Sequence, residues 1–95
     1  MRVIYTEPAL SDLDDILTFV AANYPAAVEP LKNRFKLIEG RLGRWPHSAP
    51  KVASRPGVRV VSIGKYPYKI FYRVGSDAVE ILHIYHARRD PATLL

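Results

Sequence analysis

The stretch that decides the fold is VRVVSIGKYPYKIFYRVGSDAVEILHIYH, residues 58–86. It contains three runs rich in β-branched and aromatic residues: VRVVSI (58–63), YKIFYRV (68–74) and VEILHIYH (79–86). The connecting segments GKYP and GSDA are short and each contains a glycine, which favours tight turns between neighbouring strands. The pattern therefore predicts three consecutive strands joined as antiparallel hairpins.

Two helices are predicted upstream of these strands. Thr6 is the expected N-cap of the first helix, and Pro8 falls in its first turn. Asn23 and Pro25 are expected to end this helix and start the second, in which Pro30 lies near the first turns. Each helix has apolar residues at spacings of three and four. The stripes are Leu10, Leu13, Leu17, Val20 and Tyr24 in the first helix, and Val28, Leu31, Phe35, Ile38 and Leu42 in the second.

The order of elements predicts one α+β domain over residues 1–95. The run RVIY (2–5) adds a short strand before the helices, and residues 43–57, rich in proline and glycine, form a connecting loop. The two apolar stripes are expected to face each other in an antiparallel helical hairpin. The predicted fold is therefore β-α-α-β-β-β, with an antiparallel sheet packed on one face by the hairpin.

Alternation along a strand predicts which side chains share a face of the sheet. In the second run, Ile70, Tyr72 and Val74 oppose Lys69, Phe71 and Arg73. In the third run, strict alternation gives the sets Val79, Ile81, His83 and Tyr85 against Glu80, Leu82, Ile84 and His86. Neither run has a purely apolar face, so alternation alone does not decide which face meets the helices.

Composition excludes several classes of chemistry. The chain has 95 residues, 48% of them hydrophobic, and no cysteine, which excludes disulfides and thiolate chemistry. No apolar stretch approaches the roughly 20 residues that cross a bilayer, and no signal segment is recognised, so we expect a cytoplasmic protein without membrane partners. No phosphate loop or glycine fingerprint is present, and His83 and His86 are expected on opposite faces, so neither a cofactor nor a metal is predicted.

Charge is distributed unevenly along the chain. Residues 1–31 contain one basic and five acidic residues, a net charge of −4, whereas residues 32–95 contain thirteen basic and four acidic residues, a net charge of +9. A basic surface attracts nucleic acid or acidic protein segments at long range. The same charges are equally consistent with an ordinary solvated surface, so charge alone leaves these alternatives open.

The segment VRVVSIGKYPYKIFYRVGSDAVEILHIYHARRDP (58–91) resembles the C-terminal half of toxins in the RelE/ParE superfamily of bacterial type II toxin–antitoxin systems. The segment YTEPALSDLDDILTFVAANYP (5–25) resembles the first strand and helix of the same toxins. The resemblance implies a small β-α-α-β-β-β toxin that arrests growth. It also implies a cognate antitoxin, encoded beside the toxin, that neutralises it in a toxin–antitoxin hetero-oligomer. The net charge of +9 over residues 32–95, together with apolar helix and sheet surface, predicts that an acidic amphipathic segment of the antitoxin binds this chain.

The superfamily contains two activities, and both stay open at this point. RelE-like members cleave messenger RNA on the ribosome, and by position Lys69 and Arg88 match two of their cations, with His86 as the available imidazole. ParE-like members inhibit DNA gyrase and lack the full nuclease set. The segments YPYKIFYRV (66–74) and HARRDP (86–91) resemble the ParE branch more closely. The segment DPATLL (90–95) contains no tyrosine or histidine, where many of the RelE-like nucleases have one.

The resemblance therefore favours a gyrase inhibitor without bond-making chemistry, with ribosome-dependent mRNA cleavage as the alternative. Side chains with fixed positive charge can hold an acidic or phosphate surface without catalysing a reaction. The expected target-binding residues are Arg59, Lys65, Arg73, Arg88 and Arg89. Ile84 is expected in the core and Arg88 on the surface.

Overall fold

A computed structural model of the chain describes residues 1–88. Two long helices separate a first strand from three further strands, which confirms the predicted order of elements. The elements are β1 (Arg2–Tyr5), α1 (Glu7–Asn23), a 3-10 turn (Pro25–Ala27), α2 (Val28–Arg44), β2 (Val58–Ser62), β3 (Tyr68–Val74) and β4 (Ala78–His86).

The four strands form one sheet in the order β1-β4-β3-β2. The β2–β3 and β3–β4 pairs are antiparallel, as expected for consecutive hairpins. β1 joins the far edge, where Val3 pairs with Val79 and Tyr5 with Ile81 in parallel orientation. The predicted α+β architecture is confirmed, and the parallel β1–β4 pair makes the sheet mixed.

One hydrophobic core lies between the helices and one face of the sheet. The α2 stripe supplies Leu31, Phe35, Ile38 and Leu42, all buried as predicted. The sheet contributes Ile70, Tyr72, Val79, Ile81 and Ile84 to the same cluster. Pro30 lies in the first turn of α2, where a missing N–H removes no intrahelical hydrogen bond.

α1 is tied to the sheet at its N-cap, the residue before its first turn. Thr6 is the N-cap, as predicted, and its Oγ1 accepts a hydrogen bond from the Ala9 N–H. The same hydroxyl lies 2.8 Å from the Ile81 carbonyl oxygen, to which it donates. This bond brings the start of α1 against β4, where the small side chain of Ala9 is fully buried.

The predicted apolar stripe of α1 is wrong at both ends. Leu10 is 51% exposed and Tyr24 is 63% exposed, whereas Ala9 is buried and Ile16 packs against the core. The close approach of α1 to β4 turns the helix so that Ala9 faces the sheet. A sequence pattern that counts only large apolar residues misses an alanine in that position.

A β-bulge changes the side-chain pattern of β4. Ile84 pairs with Ile70, but Tyr72 pairs with Ile81, so β4 holds one residue more than β3 between these pairs. Ile84 therefore joins Val79 and Ile81 in the core. The strict alternation predicted for this strand is wrong beyond Ile81, while the prediction that Ile84 is buried is confirmed.

Candidate functional site

Lys65 and Arg88 lie at the same end of the sheet, which we call the basic end. Lys65 is in the turn between β2 and β3, and Arg88 follows β4. The Ala87 N–H donates to the Pro67 carbonyl at 2.8 Å, which holds the two segments together. Both side chains are exposed, and within residues 1–88 neither forms an ion pair. They are therefore available to a negatively charged partner.

The contacts of Lys65 and Arg88 are weak or involve the backbone. The Lys65 ammonium lies 5.6 Å from the centre of the Tyr66 ring, a cation–π distance. The backbone N–H of Arg88 donates to Nδ1 of His86 at 3.2 Å, a contact that does not use the guanidinium group. The two cations can reorient toward a target without breaking a salt bridge among residues 1–88.

Arg59 and Arg73, predicted in the same set, have internal partners. Nη1 of Arg59 donates to the carbonyl oxygens of His47 (3.1 Å) and Ala49 (2.8 Å), so this side chain holds the loop between α2 and β2. Nε of Arg73 lies 2.5 Å from Oε1 of Glu80 on the neighbouring strand. The fifth predicted residue, Arg89, lies outside the described residues.

The three residues predicted for RNA cleavage are not brought together. Tyr68 pairs with His86 and Lys69 pairs with Tyr85, and consecutive pairs along a ladder point to opposite faces of the sheet. Lys69 and His86 are thus on different sides, although Arg88 lies close to His86. A single phosphate cannot contact all three side chains in this arrangement.

Two tyrosines, the part-buried Tyr5 and the buried Tyr72, stay protonated over the physiological range. Burial raises the pKa of the Tyr5 hydroxyl far above its usual range, and the nearby Glu39 carboxylate, 2.6 Å away, raises it further. Burial also raises the pKa of Tyr72, whose hydroxyl donates to the Pro46 carbonyl at 2.8 Å. Both hydroxyls serve as structural hydrogen-bond donors.

An aromatic groove, defined by Phe19, Tyr24, Tyr68 and His86, lies beside the basic end. Two clefts of about 440 and 360 Å³ meet at three of these residues, between α1 and the end of β4. The Phe19 and Tyr24 rings are 6.4 Å apart, and those of Tyr68 and His86 are 6.0 Å apart in edge-to-face geometry. Phe19 remains 55% exposed.

The sequence pattern does not predict this groove. Phe19 lies outside the predicted apolar stripe of α1, and Tyr24 belongs to that stripe. The available signal was the position of Phe19, a large aromatic residue outside the stripe of an amphipathic helix. The contribution of Tyr68 and His86 depends on the register of β3 and β4, which the sequence pattern did not define.

Among residues 1–88, no group of three or more histidine, aspartate or glutamate side chains is placed to hold a metal ion. Within the same range, no helix has the length and apolar character needed to cross a membrane.

The chain matches the family model described as "ParE toxin of type II toxin-antitoxin system, parDE" over residues 3–91. It is 32% identical to Toxin ParE3 of Caulobacter vibrioides over 96 residues, covering 99% of this chain and 94% of that protein. Its fold is similar to that of a chain from the chromosomal ParDE system of P. aeruginosa, with a TM-score of 0.80 and 22% identity, covering 93% of this chain and 97% of the other. The chain is therefore a member of the ParE toxin family of type II toxin–antitoxin systems.

Proposed function

We propose that this toxin arrests growth by inhibiting DNA gyrase in the cytoplasm, and that its cognate antitoxin neutralises it in a hetero-oligomeric complex. The observation that carries the proposal is the basic end of a ParE-family chain, where Lys65 and Arg88 are exposed without ion-pair partners among residues 1–88. Arg89 follows Arg88 directly in the sequence and adds a further positive charge.

The proposed action needs binding and no covalent step. Gyrase passes through a state in which DNA is cleaved, and a protein that binds this state more tightly than the others increases its population. Cations at the basic end can hold phosphates or acidic side chains through charge-assisted hydrogen bonds. The bound toxin stabilises the cleaved state of the complex through its positively charged side chains. The broken DNA then persists because resealing is delayed.

The positions of the ionisable groups support binding over catalysis. Cleavage of RNA by general acid–base chemistry requires a proton-transfer group and a cation at one phosphate. Lys69 and His86 point to opposite faces of the sheet, and the hydroxyls of Tyr5 and Tyr72, whose pKa values are raised chiefly by burial, hold their protons. These observations favour gyrase inhibition over the mRNA-cleavage alternative.

The test combines purified gyrase, relaxed and supercoiled plasmid, and the purified toxin. We expect inhibition of supercoiling and accumulation of cleaved plasmid after detergent and protease treatment. The variant Lys65→Ala/Arg88→Ala should lose most of this effect, whereas Lys36→Ala/Arg44→Ala, which removes two exposed cations from α2, should retain it. Normal supercoiling at high toxin excess, with no cleaved plasmid, would refute the proposal.

A further inference from the structure

A cleft of about 510 Å³, which we call the α2 cleft, lies between α2 and the turn that joins β2 to β3. One wall is a single face of α2, because helical residues three and four positions apart are neighbours on the surface. That wall consists of Pro30, Asn33, Arg34 and Leu37, and the turn supplies Lys65 and Tyr66. Since Lys65 belongs to both, the α2 cleft extends the basic end onto α2.

Arg34 is held in a fixed orientation beside this cleft. Its Nε donates to the carbonyl oxygen of the buried Ile63 at 2.9 Å. The guanidinium group lies against Gly64, where a Cβ would overlap its Nη2 atom. Gly64 has φ +85°, a backbone conformation that glycine adopts readily. The guanidinium group is therefore oriented before any ligand binds, and among residues 1–88 neither Nη nitrogen of Arg34 forms a hydrogen bond.

The positive charges of the α2 cleft have no acidic partner. Within residues 1–88, neither Arg34 nor Lys65 forms an ion pair, and no acidic residue lines the cleft. The neighbouring acidic residue of α2, Glu29, lies 3.6 Å from the ammonium group of Lys32 instead. Because like charges repel each other, an anion that binds between the two cations is stabilised by both.

The chemistry of the α2 cleft suits a phosphate group in a nucleic-acid backbone. Arg34 offers a planar fork of N–H donors, Lys65 a mobile ammonium group, and Asn33 an amide N–H. The oxygens of a phosphate point in tetrahedral directions, so a phosphate can accept from donors on both walls at once. Pro30 and Leu37 place exposed apolar carbon beside these donors, which suits the sugars on either side of a phosphodiester.

We propose that the α2 cleft binds a backbone phosphate of duplex DNA, with Arg34, Lys65 and Asn33 as the donors. The choice of DNA rests on the proposed action on gyrase, in which the toxin meets DNA in its cleaved state. The basic end then contacts the DNA of the gyrase complex, and not an acidic surface of the enzyme.

The first experiment locates the site by two-dimensional NMR of the isotope-labelled toxin. The toxin is titrated with a short DNA duplex and, separately, with polyglutamate of equal total charge. The duplex should shift the backbone signals of residues 33–37 and 64–66 before those of residues 10–15, and polyglutamate should shift the first two groups much less. Equal shifts with polyglutamate, or DNA-induced shifts confined to other surfaces, would overturn the inference.

The second experiment measures the affinity of toxin variants for the same duplex by fluorescence anisotropy at several salt concentrations. Lys65→Gln should weaken binding severalfold and reduce the slope of log K against log salt by about 1, as expected for one lost phosphate contact. Asn33→Asp should also weaken binding severalfold, because it places a carboxylate beside the phosphate. Both variants keep the Arg34–Ile63 hydrogen bond, and melting temperatures establish that they are folded.

Each variant has a control matched in charge. Lys36→Gln removes an exposed cation of α2 outside the cleft, and Ser11→Asp adds a negative charge to an exposed position of α1. Both controls should change the affinity less than about twofold, since salt screens exposed charges at a distance from the contact. Losses in the controls as large as those in Lys65→Gln and Asn33→Asp would show unlocalised attraction and overturn the inference.

The gyrase assay separates this inference from the gyrase proposal. Asn33→Asp should accumulate less cleaved plasmid than the original toxin, in proportion to its weaker DNA binding. A variant that binds DNA normally without inhibiting gyrase, or inhibits gyrase fully without binding DNA, would overturn the inference and leave the gyrase proposal standing. If the original toxin does not inhibit gyrase but its DNA binding depends on Asn33 and Lys65, the gyrase proposal alone is refuted.

Discussion

Asp12 of α1 accepts a hydrogen bond from the backbone N–H of Ile84 in β4, with 3.0 Å between Oδ2 and the nitrogen. β1 ends opposite Ile81, so within the described residues 1–88 the next residues of β4 have no strand neighbour on that side. The carboxylate supplies the acceptor that a neighbouring strand would otherwise supply. The same oxygen lies 3.1 Å from Nδ1 of His83, whose ring stacks on that of Tyr85.

Removing this carboxylate should destabilise the fold. We expect Asp12→Ala to lower the free energy of unfolding by about 1–3 kcal/mol, because it leaves the part-buried Ile84 N–H without an acceptor. Asp12→Asn keeps an acceptor oxygen and should lose less. Asp14→Ala, at an exposed position, should stay within about 0.5 kcal/mol of the original protein. Urea denaturation measures all three, and equal losses for Asp12 and Asp14 would contradict the assigned role.

Two glycines should respond to alanine in opposite directions. Gly64 has φ +85°, and a Cβ there would overlap the Arg34 guanidinium, whose Nε donates to the Ile63 carbonyl at 2.9 Å. Gly64→Ala should therefore destabilise by about 1–2 kcal/mol or more. Gly40 lies within α2 facing open space, and Gly40→Ala should stabilise by about 0.5–1 kcal/mol. Thermal unfolding of the two variants distinguishes these expectations.

Stability should fall at alkaline pH in a way that depends on Tyr5. The pKa of Tyr5 is raised in the folded chain, chiefly by burial and then by Glu39, from an ordinary value of 10.0. As the pH rises, the unfolded chain releases this proton at a lower pH than the folded chain does. The contribution of Tyr5 to the free energy of unfolding is therefore fully present below about pH 10 and is lost as the pH rises further.

Tyr5→Phe should make the alkaline decline shallower, and at neutral pH it should cost about 0.5–1.5 kcal/mol for the lost hydrogen bond. Some decline should remain, because burial raises the pKa of Tyr72 as well. Tyr24→Phe, which alters an exposed phenol, is the control. Denaturant titrations at several values of pH between 8 and about 11 provide the comparison. An identical slope in Tyr5→Phe would show that the tyrosine is not responsible.

Arg59 and Arg88 should affect different properties of the toxin. Arg59→Ala removes two hydrogen bonds to loop carbonyls and should lower the unfolding free energy by about 1–3 kcal/mol. Arg88→Ala should leave the melting temperature nearly unchanged and reduce growth arrest. Paired melting and growth measurements test this separation. If Arg88→Ala melts early or Arg59→Ala loses toxicity at full stability, the assignment is wrong.

The mRNA-cleavage alternative has its own direct assay. Because Lys69 and His86 lie on opposite faces, we expect no discrete cuts when the toxin is added to ribosomes translating a defined message. Primer extension detects such cuts at single-nucleotide resolution. Codon-positioned cuts that disappear in His86→Ala and Arg88→Ala would replace the gyrase proposal with a nuclease.

The sequence was sufficient to predict the order of elements and the buried residues of α2, because both depend on patterns between residues close together in the chain. The α2 stripe repeats at helical spacing, and the glycine-containing turns limit the pairing of the last three strands. The bulge in β4 could not be predicted, because it depends on which residues of β3 and β4 pair. Tyr72 pairs with Ile81 and Ile70 pairs with Ile84, which leaves one extra residue in β4. That single extra residue reversed the predicted orientation of His83 and Tyr85.

The candidate site was predicted only as a set of charges. Arg88 could be selected because it follows the last predicted strand in the segment HARRDP. Nothing in the sequence indicates that Lys65 and Arg59 make different contacts, since both are basic residues in or beside β-rich runs. Their contacts differ because the loop before β2 folds back and offers carbonyl oxygens to Arg59. Hydrogen bonds to a distant loop depend on tertiary structure, and local patterns do not contain that information.

The parallel pairing of β1 with β4 links residues 2–5 to residues 78–81, which are separated by both helices and two strands. Contacts so distant in sequence form late in folding, since a long loop must first close. During synthesis, β1 stays unpaired until β4 has left the ribosome. Shortened translation products that stop before residue 78 should therefore leave two strand edges unpaired and lack the toxin fold, so folding of this sheet requires that β4 has been synthesised as well as β1.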